Sequence, residues 1–279
     1  MKIDKKYLVV NGCSFSEGHN LGTDGAWPRY LGEYLNMEVV NLSHGGGGND
    51  TIVSNLRHYG DINKDIAEDS FFILQLTECL RYSVSIELGD EIIPHVFTPL
   101  QFMYGDRKFK DWNMDSPVNK WVYDNRYALA PIFVNITERL YNTYNLILNM
   151  VNWFESNNYP YLIFDGINNH IPVLTSRGNW VLEGSNPNHE SFGIEVCDIN
   201  PQNNRDFSRY SITRGIPTQL INQIKNLKYY YKDKILLREL DSKQNIDGID
   251  YTKGNDGHPN KKGAQMWAKH LLGVIDGLD

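Results

Sequence analysis

Five short runs of β-branched and aromatic residues punctuate the chain: YLVV at 7–10, EVVN at 38–41, FFILQL at 71–76, YLIF at 161–164 and KILLREL at 234–240. They are continuously apolar rather than alternating, the pattern of strands covered on both faces. Between them the period changes. Ile136, Leu140, Tyr144, Ile147, Val151 and Phe154 step by four, four, three, four and three, which makes one face of a long helix. Ala264, Trp267, Leu271 and Val274 continue in the same way near the C-terminus. Pro28 in GAWPRYLGEYL suits the first turn of a helix ahead of the second strand. Strand and helix alternate, which predicts a three-layer α/β/α sandwich around a mostly parallel five-stranded sheet.

Two stretches break this rhythm. Residues 83–134 are rich in aromatics, Phe97, Phe102, Tyr104, Phe109, Trp112, Trp121, Tyr123 and Tyr127 among them. Residues 166–215 are rich in Asn, Gly, Ser and Arg. Both are long for plain connections. Both leave the sheet from the C-terminal ends of strands three and four, the edge where such sheets bind ligands. The expectation is one domain over 1–279, with insertions at about 83–134 and 166–215 forming a cap. Decoration or an oligomer contact is the plainer reading of both. The aromatics suit stacking on sugars, and equally the insertion's own core.

Composition narrows the class without choosing a function. At 279 residues and 41% hydrophobic content the chain can bury a sizeable core. Its formal charge of -7 argues against a nucleic-acid partner, which would call for a basic excess. No run approaches the length of a membrane span, so no membrane partner is expected. The opening MKIDKKYLVVNGCSFSEG has too short an apolar run for a signal peptide. A cytoplasmic location is expected or, for a phage-encoded product, a virion component or release by lysis. Cys13, Cys79 and Cys197 lie far apart, as free thiols do, and offer neither a disulfide framework nor a zinc site. DGIDYTKGND at 247–256 misses the spacing of a calcium loop. No cofactor or metal is expected. An oligomer is compatible with the sequence, but no pattern specifies one.

The polar residues gather where the predicted strands end. Strand one runs into Asn11-Gly12-Cys13-Ser14, strand two into NLSHGGGGND at 41–50, strand three into Thr77-Glu78 and strand four into Asp165-Gly166. GNDGHPNKKG at 254–263 precedes the last helix. All five segments fall at one end of the sheet. A serine hydroxyl needs a base to become a nucleophile, and His258 is the candidate for Ser14. Asp256 lies two residues before it and can orient the imidazole. The developing oxyanion needs donors. The N–H of Ser14 and a glycine of 45–48 can supply two, with Asn49 as a side-chain donor. Glu78 and Arg81 can pair or orient a substrate, and His44 beside the glycines is a surface histidine or a ligand contact.

These segments resemble the SGNH (GDSL-type) hydrolases. NGCSFSEG is similar to the first block of that family, whose serine is the nucleophile and matches Ser14. Cys13 stands in place of the block's Asp, a departure common in the phage-type and bacterial branch. VVNLSHGGGGNDTI is similar to the second block, in which an Asn precedes the oxyanion glycine by five residues, so the glycine matches Gly46. DGHPNKKGAQMWA is similar to the fifth block and places its histidine at His258. The third block, Gly-x-Asn-Asp, is replaced: ILQLTECLRY puts Gln75, Thr77 and Glu78 at those places. Thr77 or Asn49 would then stand in for the missing amide donor. The fifth block also has Asn255 at the family's usual Asp position, leaving Asp256 one residue closer to the histidine. The resemblance implies a flavodoxin-like strand order, 2-1-3-4-5. It also implies a serine esterase with the triad Ser14, His258 and Asp256, acting on a short-chain or O-acetyl ester, a carbohydrate ester being one candidate.

Other readings stand beside this one. Ser14 followed by Glu17 has the spacing of a capping box. Cys13, by strand alternation, points into the core. The glycines at 45–48 can cradle a phosphate at a helix N-terminus, but they lack the Gly-Lys-Ser/Thr ending of a P-loop. His258 before Pro259 can be a turn residue. The replaced third block also suits a non-catalytic carbohydrate-binding or virion structural protein with a decayed site. An acyltransferase would use the same triad.

Overall fold

The computed structural model describes residues 3–19, 21–77, 79, 81–88, 91–97, 117, 120–125, 136–166, 173–174, 180–181, 218–231 and 258–278. Within them β1 (Tyr7–Asn11), β2 (Glu38–Asn41), β3 (Ser70–Leu76), β6 (Tyr161–Asp165) and β9 (Tyr230–Tyr231) form a parallel sheet in the order β2-β1-β3-β6-β9. That is the 2-1-3-4-5 order, with the chain reversing direction across the sheet at β1 and β3. β3 lies at the centre with all seven residues buried, as its largely apolar sequence requires.

Helices cover both faces. On one, α2 (Trp27–Leu35) packs against the C-terminal helix α7 (Lys261–Asp276). On the other, α3 (Asn49–Ile62) packs against α5 (Ile136–Ser156), which also meets α6 (Thr218–Lys225). Right-handed crossovers put a helix on one face when the chain moves one way across the sheet and on the other face when it moves back, so α2, from the β1-to-β2 step, lies opposite α3, α5 and α6. The result is a three-layer α/β/α sandwich. Aromatics mark the two faces. Phe164 of β6 meets Trp27 and Trp267 at ring-centroid distances of 5.8 and 5.4 Å. Phe72 of β3 meets Trp153, Phe154 and Tyr159 on the other side.

Both predicted helices form as their periodicity requires. Leu140, Tyr144, Ile147, Val151 and Phe154 are buried on α5, and Ala264, Trp267 and Leu271 on α7. Pro28 occupies the first turn of α2. The fifth strand differs from the expectation. The strand beside β6 is Tyr230–Tyr231, two residues that carry no readable periodicity, and the run at 234–240 lies outside the described residues. Of the two insertions, only pieces are described. These include an antiparallel hairpin, β4 (Tyr82–Leu88) with β5 (Glu91–Phe97), and a short pair, β7 (Val173–Leu174) with β8 (Trp180–Val181). The predicted cap otherwise falls outside the described residues. No helix among those described is long and apolar enough to cross a membrane.

The sheet's far side also stores a pH dependence. Tyr230 is buried and donates to Asp165 Oδ1 at 2.7 Å. Burial first, and the Asp165 carboxylate second, push its phenol well above the ordinary 10.0. Tyr144 is raised by the same two causes, and Tyr161 by burial and then Glu155. A phenol whose pKa is higher folded than unfolded keeps its full stabilisation below the unfolded value. It loses that stabilisation as pH rises, because the unfolded chain sheds its proton first. The urea midpoint should therefore hold up to about pH 10 and decline above it. Tyr230→Phe should flatten that decline, and an unchanged slope would show that Tyr230 does not titrate this way.

Candidate active site

The site is built on the turn that follows β1. Asn11, the last residue of β1, is buried; its Nδ2 donates to Ile52 O of α3 and its Oδ1 accepts from Gly12 N–H. The chain then tightens into α1 (Ser14–Glu17), with Cys13 as the N-cap. Ser14 is therefore the first helical residue. The capping-box reading fails: no side-chain bond caps this helix, and the hydroxyl is engaged elsewhere. Ser14 Oγ lies 2.6 Å from His258 Nε2. As the first residue of a helix, Ser14 has an N–H with no helical carbonyl behind it. Cys13 is fully buried, as strand alternation predicts.

His258 reaches Ser14 from the other end of the sequence. It stands ahead of Pro259, which is buried, and of Asn260, whose side chain caps α7 by accepting from Gly263 N–H at 3.0 Å. The cap fixes where α7 begins, and α7 is held by Trp267 and Leu271 in the core. The imidazole lies against two rings of the Ser14 turn, Phe15 and His19, each with its centroid 4.6 Å away. Phe15 is buried and His19 exposed. Asp256, the expected orienting carboxylate, lies outside the described residues.

The glycine loop lies alongside. His44 N–H donates to Gly12 O, tying this loop to the turn that carries Ser14, while its side chain is exposed. Asn41 Nδ2 donates to Ser16 O at 2.8 Å, a second tie. A Cβ on Gly45 would lie 2.8 Å from Glu17 Oε2 and 3.9 Å from Ser14 Cβ, so this glycine borders both. Gly46 has φ +78, in the region glycine favours, and faces open space. Gly48 must be small, because a Cβ would meet Asp50 Oδ1 at 2.6 Å and Arg81 O at 2.9 Å.

Asn49 opens α3, and its side chain grips the end of β3. Its Oδ1 accepts from Thr77 N–H at 2.8 Å and its Nδ2 donates to Thr77 O at 3.2 Å. Thr77 is fully buried, and its Oγ1 has no partner among the described residues. Arg81 is half-buried beside this loop, with its backbone against Gly48, whereas Glu78 lies outside the described residues. Ser14, His258, the glycine loop, Asn49 and Thr77 thus converge on one sheet edge. Among the described residues, no group of three His, Cys, Asp or Glu side chains is placed to hold a metal.

Sequence reasoning missed the layer beneath Ser14: Gln75, Ser16, Trp27 and the ties through Asn11 and Asn41. The signal was there in Gln75, the one polar residue of the run FFILQL at 71–76, since a buried amide must be bonded.

No family model matches the chain, and no curated protein sequence does. Some solved structures align along nearly the whole chain at low identity. One is the psychrotrophic esterase EstA from Pseudoalteromonas sp., in a structure inhibited by monoethylphosphonate. It is 10% identical, with a TM-score of 0.43 over 98% of this chain and 97% of that one. Another is a member of the lipolytic protein G-D-S-L family from Veillonella parvula DSM 2008. It is 9% identical, with a TM-score of 0.43 over 97% of this chain and 98% of that one. Likeness at this level says nothing about chemistry, which depends on the side chains at the site.

Proposed function

We propose that this chain is a serine hydrolase of the SGNH type that cleaves carboxylic esters. The single observation that carries the reading is the 2.6 Å contact between Ser14 Oγ and His258 Nε2 at the C-terminal edge of a parallel sheet. A hydroxyl bonded to an imidazole nitrogen can pass its proton as it attacks a carbonyl. Ser14 forms the new bond to the acyl carbon and His258 takes the proton, later giving it to the departing alkoxide. Water, deprotonated by the same imidazole, then releases the acid. Asp256 is the residue assigned to orient His258.

The oxyanion is assigned to the N–H groups of Ser14 and Gly46. Ser14 supports this role by opening a helix, and Gly46 by its open, left-handed position in the adjoining loop. Thr77 Oγ1 is the candidate third donor, because a buried hydroxyl without a partner gains most from an anion placed beside it. Asn49 serves as the frame, both polar atoms of its amide being bonded to the Thr77 backbone. His44, Glu78 and Arg81 are assigned to the substrate side of the pocket. The substrate class assigned is a short-chain or O-acetyl ester, a carbohydrate ester being one candidate, with residues 83–134 and 166–215 as its cap.

The test is intact-protein mass spectrometry after incubation with a fluorophosphonate. One adduct, mapped to Ser14, is expected. A folded sample that takes no adduct overturns the proposal and leaves the non-catalytic binding reading.

A further inference from the structure

Beneath the nucleophile turn lies a buried chain of hydrogen bonds that the reaction itself does not use. Trp27 Nε1 of α2 donates to Ser16 Oγ at 3.0 Å. Ser16 Oγ donates to Gln75 Oε1 of β3 at 2.5 Å. Gln75 Nε2 donates to Cys13 Sγ and to Leu76 O, each at 3.2 Å. Ser16 and Gln75 are fully buried. The bonds grip the turn on both sides of Ser14, at Cys13 before it and at Ser16 two residues after it.

The surroundings are shaped to the Gln75 side chain. A Cβ on Gly12, after β1, would lie 2.6 Å from Gln75 Oε1. A Cβ on Gly166, after β6, would lie 2.3 Å from Gln75 Nε2. The amide thus occupies a slot that two glycines leave open just past the ends of the neighbouring strands. A central strand facing an apolar layer has no need of an amide for packing, and burying one without partners is costly. Here both ends of the amide are bonded, and one of its partners directly precedes the nucleophile.

We infer that Gln75 is a positioning residue that holds the turn so that Ser14 Oγ meets His258 Nε2, with Ser16 as its relay to Trp27. It touches neither substrate nor reacting atoms. The inference rests on the proposed hydrolase reading for its kinetic arm only, since the geometric arm concerns the Ser14–His258 contact alone.

Gln75→Met keeps the volume and removes the amide. Ser16→Ala keeps Gln75 and removes the bond it accepts. Both should slow fluorophosphonate phosphonylation of Ser14 per folded molecule, Gln75→Met by about 10²-fold, the scale of a nucleophile misplaced by roughly 1 Å. Turnover of p-nitrophenyl acetate should fall in kcat with KM unchanged. The double variant should lose less than the product of the two, because both cut one chain. Crystal structures of the two variants should show Ser14 Oγ displaced from His258 Nε2. An undisplaced contact in both, or phosphonylation at the wild-type rate in both, overturns the inference. A wild-type protein that takes no adduct removes the hydrolase reading but leaves the displacement to decide the role of Gln75.

Discussion

Ser14→Ala should abolish fluorophosphonate labelling and ester turnover while leaving the melting temperature almost where it was. The hydroxyl makes no capping bond, and its described partner is His258. Removing it therefore costs the fold little and the chemistry its nucleophile. His258→Gln is the companion variant. It keeps a polar side chain of comparable reach beside Phe15 and His19 but supplies no base. Acylation should fall by about 10⁴-fold or more, the scale seen when one member of a nucleophile–base unit is removed. The two losses should not multiply in the double variant, because the residues act as one device. Substantial hydrolysis by purified Ser14→Ala would sink the assignment of the nucleophile.

Gly166→Ala is the second large effect, and it acts on stability. Gly166 has no positive φ, so alanine is not refused by the backbone. It is refused by space: the new methyl would meet Gln75 Nε2 at 2.3 Å, and Cδ and Cγ at 2.6 Å. Gln75 cannot swing away, because its amide is bonded at both ends and the slot is closed by Gly12. Overpacking of this kind costs about 1–3 kcal/mol. In a chain of this size that lowers the melting temperature by several degrees. Gln75→Ala in the same chain should recover part of the loss, a coupling that independent sites would not show. A Gly166→Ala protein that melts with the wild type would mean that the slot is looser than the distances indicate.

Much of the fold was legible because its inner strands are covered on both faces. YLVV, FFILQL and YLIF read as strands since two apolar layers leave no polar face to interrupt them, whereas EVVN, the edge strand with no residue fully buried, read through its paired valines. The long helix over 136–156 was legible because it buries one stripe. That Ser14 and His258 come together was readable from chemistry and placement, each lying at a strand end or helix start on the same edge. The rest escaped for local reasons. Ser14 with Glu17 satisfies a capping pattern, yet the helix starts one residue earlier than that pattern assumes, with Cys13 at its cap. Tyr230–Tyr231 is too short to show a period, so the sheet's last strand could not be separated from the tyrosines around it. Gln75 looked like a replaced motif position. Its meaning lies in Gly12 and Gly166, two residues far from it in sequence that are defined by the space they leave.

Asn49 draws a different kind of consequence from Thr77. Its amide pairs with both the N–H and the C=O of that residue, as a neighbouring strand would, and so adds one side-chain rung beyond the last residue of β3. The loop that carries Gly46 is thereby joined to the central strand by a splint rather than left as a tether. Adjustment to a bound acyl group would have to move both together, and the entropy of ordering that wall is spent during folding rather than on each encounter. His258 adds to this, since it meets Ser14 across 244 residues of sequence. Contacts of such separation close late. During refolding, then, Ser14 should stay chemically silent until the last helix docks, so that the appearance of reactivity would time the closure of the whole sandwich.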